Sequence, residues 1–221
     1  VSGVVLASGE RLPADSVVFN GDVSALTQSL LGSGLRRAAP ALSAGKRSLS
    51  ALTWSINAQT SGFPLDRHNV FFQSDYRSEF TDIFSRDRLP QTPTVYVCAQ
   101  DRGTNDAVPE RDRLLVLVNA PAEGSRTLTE SEIDACESHS FSLLARYGLT
   151  INRTPQNCLR TIPGDFHSMF PGSGGALYGM ATHGWMSAFA RSGAESRIPG
   201  LYLTGGSVHP GPGVPMAALS G

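Results

Sequence analysis

The residues with the most chemical character lie near the end of the sequence, in the run Leu201-Tyr202-Leu203-Thr204-Gly205-Gly206-Ser207-Val208-His209-Pro210-Gly211-Pro212-Gly213-Val214-Pro215-Met216. A β-prone stretch enters a glycine-rich loop and leaves it as a helix start. Gly205, Gly206, Gly211 and Gly213 have no Cβ, so the backbone can approach a flat ligand closely, and Pro215 suits the first turn of a helix. The partial positive charge at that helix start favours an anionic or electron-accepting group. A phosphate and the pyrimidine edge of a reduced flavin both qualify. A plain strand-loop-helix connection, rich in turn residues for its own sake, accounts for the same spacing equally well. His209, set between glycines, either contacts a cofactor or fills the loop.

Other near-motifs fail on inspection. Gly32-Ser33-Gly34, Gly172-Ser173-Gly174 and Gly211-Pro212-Gly213 each begin a dinucleotide fingerprint, but Arg37, Leu177 and Met216 occupy its last glycine position. Gly205-Gly206-Ser207-Val208-His209 departs from a nucleophile elbow where His209 replaces the closing glycine. Asp101 and Asp106, in the turn Asp101-Arg102-Gly103-Thr104-Asn105-Asp106 that follows a strand, are weak candidates for acid/base chemistry, and capped strand-end turns are the commoner use of such residues.

The elements that must position these residues read as α+β. Gly3-Val4-Val5-Leu6 and Ser16-Val17-Val18-Phe19 suggest a hairpin, and Asp22 is placed to cap a helix carrying Val23, Leu26 and Leu30 that Gly32 would end. Apolar alternation runs through Leu49 and Ala51 and, after a break, through Trp54 and Ile56. Further strands are expected at 69–73, 94–100 and 114–119. Between the first two, Tyr76, Phe80, Ile83 and Phe84 repeat as the apolar stripe of a helix from Asp75 to Asp87, expected to be core although a lipid pocket would use the same stripe. A second helix opens at the capping box Thr129-Glu130-Ser131-Glu132 and stops at Gly148. Trp54, Phe72, Phe80, Phe84 and Leu144 are the expected buried residues.

Composition excludes several functions. A net charge of -1 over 221 residues lacks the basic excess of a nucleic-acid-binding surface. Cys98, Cys136 and Cys158 are too few and too far apart for a disulfide framework or a zinc site, which suits a reducing compartment, and no histidine pair has metal-ligand spacing. The longest aliphatic run, Leu114 to Val118, is far short of the ~20 residues a membrane-spanning helix needs. The absence of an initial Met, and an end a few residues into a new helix, suggest a piece of a longer chain.

The segment Thr204 to Pro215 resembles the C-terminal flavin-contacting signature of bacterial phytoene desaturase-type carotenoid desaturases. Gly175-Ala176-Leu177-Tyr178-Gly179 is similar to the stretch preceding that signature, and Gly3 to Asp22 to the strand pair leading into the substrate domain; Tyr96-Val97, Asp106 and Pro109 fit more loosely. The resemblance spans the whole chain, and the branch acting on hydroxylated or methoxylated neurosporene is nearest. It implies a C-terminal fragment of an amine-oxidase-like flavoprotein. Residues 1–25 would be a remnant of a Rossmann-like FAD domain, 26–196 a substrate domain with a mixed or antiparallel sheet and flanking helices, and 197–221 the C-terminal FAD-binding segment. FAD is the implied cofactor, with Gly205, Gly206, His209, Pro210, Gly211, Gly213, Val214 and Pro215 as its contacts. The implied chemistry is hydride removal from a saturated carbon beside a polyene onto flavin N5, followed by proton loss, without an identifiable general base. A carotenoid substrate and a cytoplasmic location peripheral to the inner membrane follow from the same resemblance. The remaining alternatives are a flavin amine oxidase-type enzyme and a non-catalytic lipid-binding module.

Overall fold

The computed structural model describes residues 1–103, 109–122, 127–181 and 190–221. In chain order the elements are β1 (Gly3–Val5), β2 (Arg11–Pro13), β3 (Val17–Phe19), α1 (Val23–Thr27), β4 (Ser50–Ala58), β5 (Thr60–Ser61), β6 (His68–Phe71) and α2 (Tyr76–Ser85). They continue with β7 (Val95–Ala99), β8 (Asp112–Ala120), α3 (Glu130–Arg146), β9 (Thr150–Ile151), β10 (Cys158–Thr161), α4 (Pro163–Met169), β11 (Leu201–Leu203) and α5 (Val214–Leu219). Two compact units result: a central one, Leu49–Asp165, and a terminal one made of Val1–Ser48 with Phe166–Gly221. This division differs from the expected boundaries after residues 25 and 196. Leu26, Ala38 and Ala39 pack in one buried cluster with Ile198, Leu201 and Leu203, so long-range packing rather than composition sets the limits.

The central unit is built on an antiparallel five-stranded sheet in the order β10-β4-β8-β7-β6. Strand β4 is continuous through the apparent break in its sequence pattern. Leu52, Trp54, Ile56 and Ala58 all face the core, whereas Ala51 and Thr53 lie on the opposite face, so the break marks a change of face and not an end of strand. Helix α3 starts at the expected capping box, with Thr129 Oγ1 accepting from Glu132 N–H and Glu132 Oε2 from Thr129 N–H. It buries Ile133, Cys136, Leu143 and Leu144 against this core. Trp54, fully buried, donates from Nε1 to Glu137 Oε2 at 2.9 Å and meets the Phe141 ring edge-on at 5.3 Å. Burial pushes the Cys136 thiol up to about 12, leaving it an inert core residue.

Helix α2 lies where the spacing places it, with the opposite side inward. Glu79, Asp82 and Ile83 are buried, whereas Tyr76 and Phe84 are exposed, Phe72 just before the helix is 52% exposed, and Phe80 is half-buried. The expected burial of Phe72, Phe80 and Phe84 is thereby corrected. The reason is polar: Glu79 accepts hydrogen bonds from Thr94 N–H at 2.9 Å and Asn119 Nδ2 at 2.8 Å. Asp82 accepts from Arg86 Nη1, Arg88 Nε and the Gln91 N–H, so both carboxylates organise the turn between α2 and β7. Phe72, Tyr76, Phe80 and Phe84 are left as an outward ladder of successive ring contacts.

Buried carboxylates make the central unit acid-sensitive. Burial alone would raise the Asp82 carboxyl, but hydrogen bonds from Arg86, Gln91 and Arg88 bring it below the ordinary 3.8. Asp112 is likewise lowered by its hydrogen bonds with Arg102, against the opposing effect of burial. A depressed pKa contributes stability that is present above the unfolded value and lost as pH falls through the folded one. The thermal midpoint should therefore fall steeply below about pH 4, and Asp112→Asn should lower it at neutral pH while flattening the acid slope. An unchanged slope in that variant would rule out this source of acid sensitivity.

In the terminal unit, β1 pairs with β2 and not with β3. The expected hairpin between 3–6 and 16–19 is corrected, because β3 instead pairs in parallel with β11, Leu203 lying opposite Phe19. Asp22 does cap α1, accepting from Ser24 N–H at 2.8 Å, but the helix ends at Thr27, before Leu30, which is exposed. Among the described residues no helix is long and apolar enough to cross a membrane.

Candidate functional site

The parallel pairing of β11 with β3 determines where the glycine-rich loop begins. Thr204 N–H extends the ladder to the Phe19 carbonyl at 3.0 Å. The chain then turns out of the sheet at Gly205, whose φ of 111° is one that side-chain-bearing residues rarely adopt. Gly205 N–H donates to Ser220 Oγ at 2.8 Å, and Thr204 Oγ1 lies 3.0 Å from the same oxygen. Ser220 follows α5, so the end of that helix is clasped to the start of the loop. Val208 is fully buried, His209 N–H donates to Ser192 O at 2.8 Å, and the His209-Pro210 peptide bond is cis. Ser207 Oγ accepts from Val23 N–H at 3.3 Å, tying the loop to the first turn of α1.

Arg191 is the principal side-chain anchor. It is 7% exposed, and its guanidinium donates from Nη1 to Gly206 O at 3.1 Å and from Nη2 to Met180 O at 2.7 Å. Burial lowers its pKa, with the charge of Asp22 acting in the other direction. An arginine remains charged under such conditions, so a buried cation here braces the loop through backbone carbonyls. A cavity of about 220 Å³ adjoins it, lined by Asp22, Ser24, Lys46, Met180 and Ser207 among others.

The eight loop residues expected to contact a cofactor separate into two groups. A Cβ on Gly205 would stand 3.3 Å from Asn20 Oδ1, one on Gly206 3.5 Å from Pro212 Cα, and one on Gly211 3.3 Å from Arg191 Nε. Close approach together with positive φ values of 111° and 132° thus accounts for Gly205 and Gly211, whereas the 3.5 Å contact at Gly206 is an ordinary van der Waals distance that a side chain would tolerate. Gly213 differs. Its φ is 103°, and a Cβ there would meet nothing within 4 Å among the described residues. Gly213, Val214 and Pro215 are exposed, as is His209, while Pro210 is half-buried. These residues leave backbone and ring surface accessible. Helix α5 has only six residues, so its dipole adds little to the loop's affinity for an anion.

Of the two acid/base candidates, Asp101 lies in the central unit, where Arg113 Nε donates to it at 2.9 Å and Arg113 Nη2 also pairs with it. That guanidinium holds the carboxyl below its ordinary value, which makes it a poor proton acceptor. Asp106 lies outside the described residues. Motif reading did not single out Arg191, Ser220 or Ser207 Oγ as the braces of the loop. One signal was available for Arg191: no Asp, Glu, Lys or Arg stands between Asp165 and it, so a lone charge closes a long uncharged stretch.

No protein-family model matches the chain. Among curated proteins, it is 61% identical to a hydroxyneurosporene desaturase of Rubrivivax gelatinosus over 99% of its own length and 42% of that protein's. A hydroxyneurosporene desaturase of Cereibacter sphaeroides is 43% identical over 100% of the chain and 44% of the relative. A phytoene desaturase of Neurospora crassa is 30% identical over 97% of the chain and 38% of the relative. The chain therefore spans less than half the length of these relatives while matching them almost from end to end. Over its own length it belongs to the carotenoid desaturase family.

Proposed function

We propose that this chain is the C-terminal part of an FAD-dependent carotenoid desaturase that introduces C=C bonds into an acyclic carotenoid of the hydroxy- or methoxyneurosporene type. The observation that carries the reading is the 61% identity to a hydroxyneurosporene desaturase across 99% of the chain. The loop geometry supports it. His209, Pro210, Gly213, Val214 and Pro215 offer accessible surface for the isoalloxazine side of the cofactor, and Gly205 and Gly211 allow the tight course of the loop. The parallel β3 and β11 are read as remnants of the Rossmann-like FAD sheet. The pyrophosphate is assigned to an N-terminal βαβ unit of the complete protein.

When bound, FAD supplies the two-electron, hydride-accepting group. The chain's own residues serve position. Arg191, Ser207 and Ser220 hold the loop at a constant height, so the face carrying Gly213 presents one geometry to the ring. No side chain is assigned as general base, because the polyene delocalises the developing positive charge and the paired Asp101 is ill suited to accept a proton. The loop of the terminal unit is assigned to the cofactor and the sheet of the central unit to the polyene. Expression of the complete reading frame in a host accumulating hydroxyneurosporene should yield pigments with a longer chromophore. Unchanged pigments beside abundant soluble flavoprotein would overturn the assignment and favour the amine-oxidising alternative.

A polyene substrate resides in lipid, so we also place the complete enzyme on the cytoplasmic surface of the inner membrane. The outward ladder Phe72, Tyr76, Phe80 and Phe84 supplies aromatic surface suited to the headgroup region. Phe72→Ser with Phe84→Ser should weaken binding of the complete enzyme to phospholipid vesicles at least severalfold in a flotation assay. Undiminished flotation would remove the ladder from the docking surface.

A further inference from the structure

The sheet of the central unit has one face packed by its core and another that is only partly covered. On the second face the strand register aligns two rows: His68, Cys98, Leu115, Ser55 and Leu159 in one, and Val70, Tyr96, Leu117, Thr53 and Thr161 in the next. Each row crosses five strands, roughly 19 Å at the usual inter-strand spacing. Val70 is 49% exposed and Leu159 68%, and a groove of about 610 Å³ on this face is lined by Ser55, Asn57, Arg113, Leu115 and Leu159, among others. Of the charged groups at its border, Arg113 is already paired with Asp101, and Arg67 places its charge near Tyr96. The surface is thus long and uncharged along its rows, with Val70, Leu115, Leu117 and Leu159 set among hydroxyl-bearing and ring side chains, which suits a rigid conjugated hydrocarbon that carries a polar group.

Within these rows His68 and Tyr96 pair with one another. His68 Nδ1 and Tyr96 Oη are 2.7 Å apart, and the two rings stack at 6.1 Å. Burial pushes the Tyr96 phenol up, so it stays protonated and neutral. With the phenol donating to His68 Nδ1, the other imidazole nitrogen carries an N–H that can donate outward, while the phenol oxygen retains a lone pair that can accept. One donor and one acceptor, side by side, are the complement of an alcohol. An ether can use only the donor.

We propose that the His68–Tyr96 pair is the specificity determinant that recognises the hydroxyl group of a hydroxylated acyclic polyene lying along this face. The proposal rests on the desaturase reading above. It goes beyond that reading by naming the residues that separate a hydroxylated from an unhydroxylated chain. A buried hydroxyl without partners is costly, so a surface that covers the polyene selects against it unless donor and acceptor are supplied at the right place.

The test uses the complete enzyme with hydroxyneurosporene as substrate and neurosporene as competitor. Tyr96→Phe should raise KM for the hydroxylated substrate roughly five- to tenfold, the value of one hydrogen bond, and leave the inhibition constant of neurosporene within twofold. His68→Gln, which keeps an outward donor, should lose less than His68→Leu. A methoxylated substrate should be less sensitive than the hydroxylated one to Tyr96→Phe. Equal changes for hydroxylated substrate and neurosporene, or no change for either, would overturn the proposal while leaving the desaturase assignment standing. A wild-type enzyme that desaturates no carotenoid would instead overturn the assignment and this inference with it.

Discussion

In the complete enzyme, Gly213→Glu should abolish FAD retention, and Gly213→Ala should reduce it far less. Both substitutions place a Cβ at φ 103°, a region tolerated almost only by glycine, and so share a backbone cost of roughly 1–3 kcal/mol. What they do not share is bulk and charge. Nothing among the described residues lies within 4 Å of that Cβ, so the alanine methyl has room, whereas glutamate extends a carboxylate into the space assigned to the ring. Because the loop braces lie elsewhere, at Arg191 and Ser220, the glutamate variant should keep its thermal transition to within a few degrees of the alanine variant once flavin has been removed from both. Flavin absorbance per polypeptide after gel filtration measures the outcome. Equal flavin content in the two variants would place the ring somewhere other than over Gly213.

Trp54→Ala should destabilise the central unit by about 3–5 kcal/mol, a large share of the stability of a typical domain. The side chain is fully buried between β4 and α3, packs edge-on against Phe141, and donates to Glu137 Oε2, which a truncation would leave with one partner fewer. Trp54→Phe should cost clearly less, because most of the apolar contact survives and only the indole N–H is lost. Denaturant unfolding of both variants provides the comparison. A loss below about 1 kcal/mol for the alanine variant would mean that the core reorganises around the missing ring.

Much of this architecture was legible from local pattern. The capping box at Thr129, the strands around 95–99 and 112–120, and the loop that follows Leu203 are each specified by residues within a few positions of one another. The failures share a physical cause in distance along the chain. β3 chooses β11 as its partner across a long sequence separation, which no turn signal near Phe19 reveals. The inward face of α2 is chosen by Thr94, Asn119 and three donors to Asp82, so two acidic residues win the buried side over three aromatics. Hydrophobic spacing alone could not anticipate this, because it scores carboxylates as outward by default. In the same way, the glycines of the loop were visible as a motif, but their separation into two, Gly205 and Gly211, that approach their own chain and one, Gly213, that faces open space required Asn20 and Arg191 in position.

The proposed transfer of reducing equivalents from a polyene to flavin in the complete protein can be followed by anaerobic mixing. The complete oxidised holoenzyme would be combined with hydroxyneurosporene in the absence of any other electron acceptor, and flavin and polyene bands followed together. The oxidised-flavin band should bleach while the polyene bands move to longer wavelength, one flavin reduced for each double bond formed. A polyene shift without flavin bleaching, or neither change in a preparation that retains its flavin, would contradict that transfer.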